Sequence, residues 1–240
     1  MIFKKILRSL GYDVRRIGTS GLTNRDLEYD LPRVLPKPSS SVFDVGANKG
    51  QTIEMMQRLL IDPRIYSFEP SSDLATLLRA KFDPKRVTVE QCGLGAAPES
   101  RTFIHYQVSE LSSFLPLSKD AHNPFSKVNE QGREELEIRT VDSYAEANAI
   151  DHIDLLKIDT QGFDFEVLKG SEAMIVGGRV SAVLVELNFA QLYANQCGPG
   201  EVIDWLGRRG FSILGFYDEV RINPVLSWVT VLFLPQSFRL

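Results

Sequence analysis

Cysteine is nearly absent from this 240-residue chain: only Cys92 and Cys197 occur. They lie far apart and outside any Cys-x-x-Cys motif, which excludes a disulfide framework and a cysteine-based zinc site and points to a reducing compartment. Histidine is scarce too. His105, His122 and His152 have no metal-ligand spacing to one another or to a carboxylate cluster, so no metal is expected. Long apolar runs are missing. The longest charge-free stretch, Ile222 to Phe238, is interrupted by Asn223, Pro224, Pro235 and Gln236 and is too short to span a bilayer. The opening Met1-Ile2-Phe3-Lys4-Lys5 lacks the apolar core of a secretory leader, so a cytoplasmic location is expected. Excess charge of one sign is also lacking. Lys and Arg number 27 against 31 Asp and Glu, a net charge of −4, too weak a field to draw nucleic acid.

Several catalytic signatures are absent as well. Neither the nucleophile elbow Gly-x-Ser-x-Gly nor the phosphate loop Gly-x-x-x-x-Gly-Lys-[Ser/Thr] occurs. None of the seven tyrosines has a lysine four residues later, which removes the Tyr-x-x-x-Lys pair of short-chain dehydrogenases.

What is present is an ordinary globular balance, 43% apolar and 24% charged, enough for one substantial core. The first 41 residues read as an arm and linker. Ile2, Phe3, Ile6, Leu7 and Leu10 recur at helical spacing among Lys4, Lys5 and Arg8, predicting an amphipathic segment. It packs on the domain or, over residues 1–18, touches an anionic membrane surface. Pro32, Pro36 and Pro38, then Ser39 to Ser41, read as linker.

From residue 42 short apolar strands alternate with helical spacing. Strands are predicted at Val42–Val45, Arg64–Phe68, Val87–Cys92, Ile153–Ile158 and Val180–Leu187, and helices at Gln51–Leu60 and around Leu74–Leu78 and Ile203–Leu206. This alternation predicts an α/β fold with a mostly parallel sheet covered by helices on both faces. Phe211–Phe216 and Trp228–Leu234 have no helical segment between them and predict a terminal antiparallel strand pair. Residues 102–140 fit the alternation poorly and read as an insertion or lid on a domain spanning 42–240.

Two features carry chemistry. Asp44-Val45-Gly46-Ala47-Asn48-Lys49-Gly50 joins the first strand to the first helix. Its glycines permit a sharp turn and close ligand approach, and the helix start suits an anion. Glu69 ends the second strand, 19 residues after Gly50, where a carboxylate can accept hydrogen bonds from ribose hydroxyls. Loop and acid together predict a nucleoside ligand. A dinucleotide loop wants Gly-x-Gly-x-x-Gly, but Asn48 and Gln51 stand at its second and third glycine positions, which disfavours an NAD-dependent oxidoreductase.

Longer blocks make a resemblance specific. Val42 to Thr52 (VFDVGANKGQT), Ser67 to Pro70 (SFEP), Gly93-Leu94-Gly95, Ser112-Ser113, Val141-Asp142-Ser143-Tyr144, Ile153 to Gly170 (IDLLKIDTQGFDFEVLKG), and Val183 to Leu187 with Tyr193 resemble the FkbM family of S-adenosylmethionine-dependent methyltransferases. The likeness runs over roughly residues 42–235. It implies a Rossmann-like methyltransferase fold, S-adenosyl-L-methionine as cofactor, and O-methylation of a hydroxyl on a sugar, glycan or secondary metabolite. Where many members of the family have glutamate, this chain has Gln161.

The cofactor contacts expected from the loop, the strand ends and this resemblance are Asp44, Gly46, Ala47, Asn48, Gly50, Glu69, Pro70, Gly93, Leu94 and Asp159. Methyl transfer needs a base for the hydroxyl proton. Asp159 is the first candidate, because it ends the fourth strand at the edge where open α/β sheets bind ligands. Lys157 lies two residues earlier on the same strand face. Inside an apolar strand its charge needs a partner, for which Asp159 and Glu186 are the expected choices. Glu186 ends the fifth strand and would bind substrate hydroxyls or close a loop. The rings of Phe103, Tyr106 and Phe114 are candidates for stacking on a sugar. The rival reading is a non-catalytic module that keeps the fold and binds a nucleoside or a partner.

Overall fold

Five strands run parallel: β1 (Ser41–Val45), β2 (Arg64–Phe68), β3 (Val87–Glu90), β7 (Leu155–Ile158) and β8 (Val183–Asn188). In the computed structural model, which describes residues 21–35, 38, 40–120 and 122–239, they join β9 (Phe211–Ile222) and β10 (Val225–Pro235) in one seven-stranded sheet. The order is β3-β2-β1-β7-β8-β10-β9, with β10 antiparallel to both β8 and β9. The expected terminal antiparallel pair is therefore present. The basic arm read over residues 2–10 lies outside the described residues. Among the described residues no helix is long and apolar enough to cross a membrane.

Chain direction away from β1 decides where a ligand can sit. The chain leaves β1 for β2 and β3 on one side and later returns to β7 and β8 on the other. The crossover helices at this switch diverge, leaving a crevice beyond the carboxyl ends of β1 and β7. Two apolar clusters cover the sheet. One gathers Phe43, Phe68, Leu156, Val183 and Val231 with Val167, Leu168 and Leu206 of the helices below. The other gathers Val42, Ile65 and Leu155 with Ile53, Met56 and Leu78 from α2 (Gln51–Leu59) and α3 (Ser72–Lys81).

The linker reading of Pro32 fails. Leu27–Val34 is a helix, α1, with Pro32 inside it and Asp26 capping its start through the Tyr29 N–H at 3.0 Å. Its Leu27, Leu31 and Val34 belong to the second cluster. Asp30, fully buried, accepts bonds from Thr23 N–H (2.7 Å), Asn24 N–H (2.6 Å) and the Tyr217 hydroxyl (3.1 Å) of β9. Proline marks an irregular chain in isolation, but burying an apolar face outweighs one missing helical bond.

Residues 102–140, read from the sequence as an insertion or lid, contain regular strands. β5 (Glu99–Tyr106) and β6 (Glu130–Arg139) pair antiparallel, and β4 (Gly93–Leu94) pairs with β6 to complete a three-stranded sheet. The predicted strand Val87–Cys92 thus stops at Glu90, and its continuation serves this second sheet. The sequence hid β6 because six of its ten residues are charged and only Leu136 and Ile138 are buried. The connection 107–129 packs its Leu111, Phe114, Leu115 and Leu117 beneath the sheet, against Phe163 and Tyr193.

Some of the longer motif blocks of the sequence hold the frame. Thr140 caps α4 (Val141–Ala147) reciprocally with Ser143. The carboxylate of Asp142 in turn accepts the Ala173 and Met174 N–H groups at 2.8 and 2.9 Å, capping α6 (Glu172–Val176). Gly170 follows α5 (Asp164–Lys169) and permits a tight approach, since a Cβ there would lie 1.9 Å from the Gly95 carbonyl oxygen.

Candidate active site

A cavity of about 470 Å³ opens beyond the carboxyl ends of β1, β2 and β7. Of the expected cofactor residues, Gly46, Ala47, Asn48, Glu69, Pro70, Gly93, Leu94 and Asp159 line it, as does Lys157. Asp44 and Gly50 do not.

The glycine loop is crowded by protein. Gly46 has φ +82°, and a Cβ on it would stand 1.9 Å from the Asp159 carbonyl oxygen. Gly50 has φ +86°, and its Cβ would meet the Phe82 ring at 2.6 Å. Both glycines are required for a left-handed turn. The close approach they allow within the protein is to the end of β7 and to the Phe82 side chain after α3. Gly46 therefore locks the ends of β1 and β7 together.

Behind the loop, register makes an ion pair. Asp44 and Lys157 are direct partners on β1 and β7. Lys157 Nζ lies 3.0 Å from Asp44 Oδ1 and 3.9 Å from Asp159 Oδ2, and donates to the Gly46 carbonyl at 2.9 Å. Asp44 has no exposed surface and Lys157 only 7%. Burial works against the ammonium, but the carboxylates of Asp44, Asp159 and Asp164 outweigh it and raise the Lys157 pKa. The expected partnership with Glu186 is absent and Asp44 takes its place. A lysine so committed holds the loop to the sheet and has no free lone pair to act as a base.

Glu69 is 4% exposed and accepts the Asn48 N–H at 2.8 Å and the Ser71 N–H at 2.9 Å, one on each oxygen. Burial pushes its pKa up to about 7 against those two bonds. Each oxygen keeps a lone pair for a further donor. Asn48 Oδ1 is buried without a hydrogen-bond partner. Both residues line the cavity, their acceptors fit the hydroxyls and ammonium of S-adenosylmethionine, and the cavity is of small-molecule size.

Asp159 follows β7 with 38% of its side chain exposed. Its Oδ1 accepts the Gln161 side-chain N–H at 2.7 Å. The next turn is self-contained. Asp164 accepts from Thr160 N–H (2.8 Å), Thr160 Oγ1 (3.1 Å) and Gly162 N–H (3.0 Å), and burial pushes its pKa to about 6. Its oxygens are spent on the turn, and among the described residues no cluster of His, Cys, Asp and Glu is placed to hold a metal ion.

Glu186 departs from expectation. It borders a separate small pocket with Asp164, Asn188 and Cys197, on the other side of the Asp159–Gly162 turn, and does not line the main cavity. Burial and then the Asp159 and Asp164 carboxylates raise its pKa well above the ordinary range. The three aromatic candidates are at the cavity but 5–7% exposed. Phe103 packs edge-on to Phe114 at 4.9 Å and the Tyr106 hydroxyl accepts the Leu117 N–H, so these rings are built into the wall with little surface open for stacking.

Glu110, in the β5–β6 connection, and Gln131 of β6 line the cavity, and the sequence did not single them out. His105 of β5, which the sequence offers as a histidine flanking the lid region, lines it too, and its Nε2 lies 3.3 Å from Glu134 Oε2 across the strands. Gln161 and Tyr193 meet only in the fold, through a 2.9 Å bond from the Tyr193 hydroxyl to Gln161 Oε1. No spacing rule links positions 32 residues apart; only the shared membership of two long motif blocks hinted at them.

Comparison with known proteins agrees with this geometry. The chain is 22% identical over 208 residues to the 2-O-methyltransferase NoeI of Sinorhizobium fredii, covering 83% of each chain. It is 25% identical over 151 residues to Methyltransferase 1 of Beauveria bassiana, covering 57% of this chain and 61% of that one. Among solved structures, the FkbM methyltransferase of Methylobacillus flagellatus KT shares the fold with a TM-score of 0.51 at 15% identity, over 85% of this chain and 50% of that chain. The chain thus spans half the length of that solved relative and most of NoeI. The model of the Methyltransferase FkbM domain matches residues 44–213, a span that holds the glycine loop, Glu69, the Asp44–Lys157 pair and Asp159. The chain belongs to the FkbM methyltransferase family, on a Rossmann-like fold, with S-adenosyl-L-methionine as its cofactor.

Proposed function

We propose that this chain is an O-methyltransferase whose acceptor is a hydroxyl of a sugar, glycan or secondary metabolite. The observation that carries the reading is the placement of Asp159. It is a half-exposed carboxylate on the wall of the cavity that Glu69 and Asn48 also line. The printed activity of NoeI, a 2-O-methyltransferase at 22% identity, supports a hydroxyl acceptor.

S-adenosylmethionine supplies a methyl group already activated by the sulfonium. What remains for the protein is to hold, align and deprotonate. Glu69 and the Asn48 loop bind the cofactor. Asp159 takes the hydroxyl proton as the new oxygen–carbon bond forms. Lys157 keeps Gly46 and the loop in place through its bond to the Gly46 carbonyl. The β5–β6 wall, with His105, Glu110 and Gln131, receives the acceptor.

The test is calorimetric titration with S-adenosylhomocysteine, followed by labelled-methyl transfer from S-adenosylmethionine to a panel of hydroxylated acceptors. Micromolar binding with transfer to at least one acceptor, lost in Asp159→Asn, is expected. Tight binding with no transfer to any acceptor would instead favour the non-catalytic reading.

A further inference from the structure

Gln161 stands where three parts of the chain converge. Its backbone is left-handed, φ +56°, and its carbonyl accepts the Ser113 hydroxyl at 2.7 Å from the β5–β6 connection. Its side-chain Oε1 accepts the hydroxyl of Tyr193, a residue without exposed surface. Its Nε2 donates to Asp159 Oδ1 at 2.7 Å. The amide orientation is forced. A carboxylate only accepts, so the NH₂ group must face Asp159 and the oxygen must face Tyr193.

We propose that Gln161 is the positioning residue of this site: oriented by Tyr193 and anchored by Ser113, it holds the Asp159 carboxylate in one rotamer for its work on the acceptor hydroxyl. The inference rests on the O-methyltransferase reading above. A neutral donor is suited to the task because it fixes the carboxylate without competing for its proton. The charged and titratable groups around Asp159 are Lys157 on β7, Asp44 on β1, Asp164 on α5, Glu186 on β8 and Tyr193 beyond it. A carboxylate at position 161 would add a second acid in direct contact, and such pairs share a proton.

Three variants test it: Gln161→Glu, Gln161→Leu and Tyr193→Phe, each assayed for kcat against pH with S-adenosylmethionine and the best acceptor of the panel. S-adenosylhomocysteine affinity is measured alongside. Gln161→Glu is expected to move the acidic limb of the kcat profile upward by about one pH unit or more while binding S-adenosylhomocysteine within about threefold of wild type. Gln161→Leu is expected to lose roughly tenfold or more in kcat at every pH. Tyr193→Phe should lose less, and the Gln161→Leu/Tyr193→Phe double variant should be no slower than Gln161→Leu. Wild-type kcat and pH profile in Gln161→Glu and Gln161→Leu would overturn the assignment. Failure of the underlying reading is told apart because it is seen in the wild type itself: no methyl transfer to any hydroxylated acceptor removes the reaction and this role with it.

Discussion

Asp44 and Lys157 face each other across β1 and β7 with 3.0 Å between Oδ1 and Nζ, both buried, and the same ammonium holds the Gly46 carbonyl. One cross-strand pair thus couples the central strands to the loop that lines the cavity. Removing one partner leaves a buried charge unmatched, which costs about 3–5 kcal/mol. Lys157→Met and Asp44→Leu should each lower stability by that amount in urea denaturation. The double variant should be less destabilised than the sum of the two, because no lone charge remains.

Gly46→Ala tests the junction directly. A Cβ at 1.9 Å from the Asp159 carbonyl cannot be accommodated without moving β7 or the loop, and its φ of +82° is unfavourable for any L residue. Loss of more than about 2 kcal/mol of stability and weakened S-adenosylhomocysteine binding are expected. Gly132→Ala is the control: nothing lies within 4 Å of that Cβ, and the change should stay within about 0.5 kcal/mol.

Glu69 makes cofactor affinity pH-dependent. Burial raises its pKa to about 7 in the free protein. Hydroxyl donors favour the ionised form, so binding must expel a proton below that pH. The sign follows: S-adenosylhomocysteine affinity should be flat above about pH 8 and fall by up to tenfold per pH unit below about pH 7. Calorimetry across pH 5.5–9 checks it. Glu69→Ala should bind weakly and lose the pH dependence.

Asp30 ties the segment before β1 to β9. With Thr23, Asn24 and Tyr217 all donating to one fully buried carboxylate, Asp30→Ala leaves the buried Tyr217 hydroxyl and two part-exposed backbone N–H groups without their acceptor and should cost about 2–3 kcal/mol. Tyr217→Phe removes one bond and should cost about 1 kcal/mol. Thermal melts of both variants give the comparison.

His105 separates acceptor binding from proton transfer. It lines the cavity from β5 and is paired with Glu134, well away in sequence from the Asp159 turn. His105→Ala should raise the acceptor KM about tenfold with kcat within about threefold, while Asp159→Asn should lower kcat by about a hundredfold or more. Steady-state kinetics on the best acceptor decides between them.

The sequence by itself determined the strand–helix alternation, the terminal hairpin, the glycine loop and Glu69. These are local: apolar periodicity, turn residues and strand ends are set by neighbours along the chain. It also placed Asp159 and Lys157 on one strand face. Tertiary structure decided the rest, because partners across a sheet are chosen by register. Register gave Lys157 to Asp44 and put Glu186 on the far side of the Asp159–Gly162 turn. The mostly charged β6 and the proline-bearing α1 became regular only because each had a surface to cover. The contact of Gln161 with Asp159 and Tyr193 could be seen only once β7, β8 and the β5–β6 connection met at one corner, where a half-buried amide satisfies both of its ends.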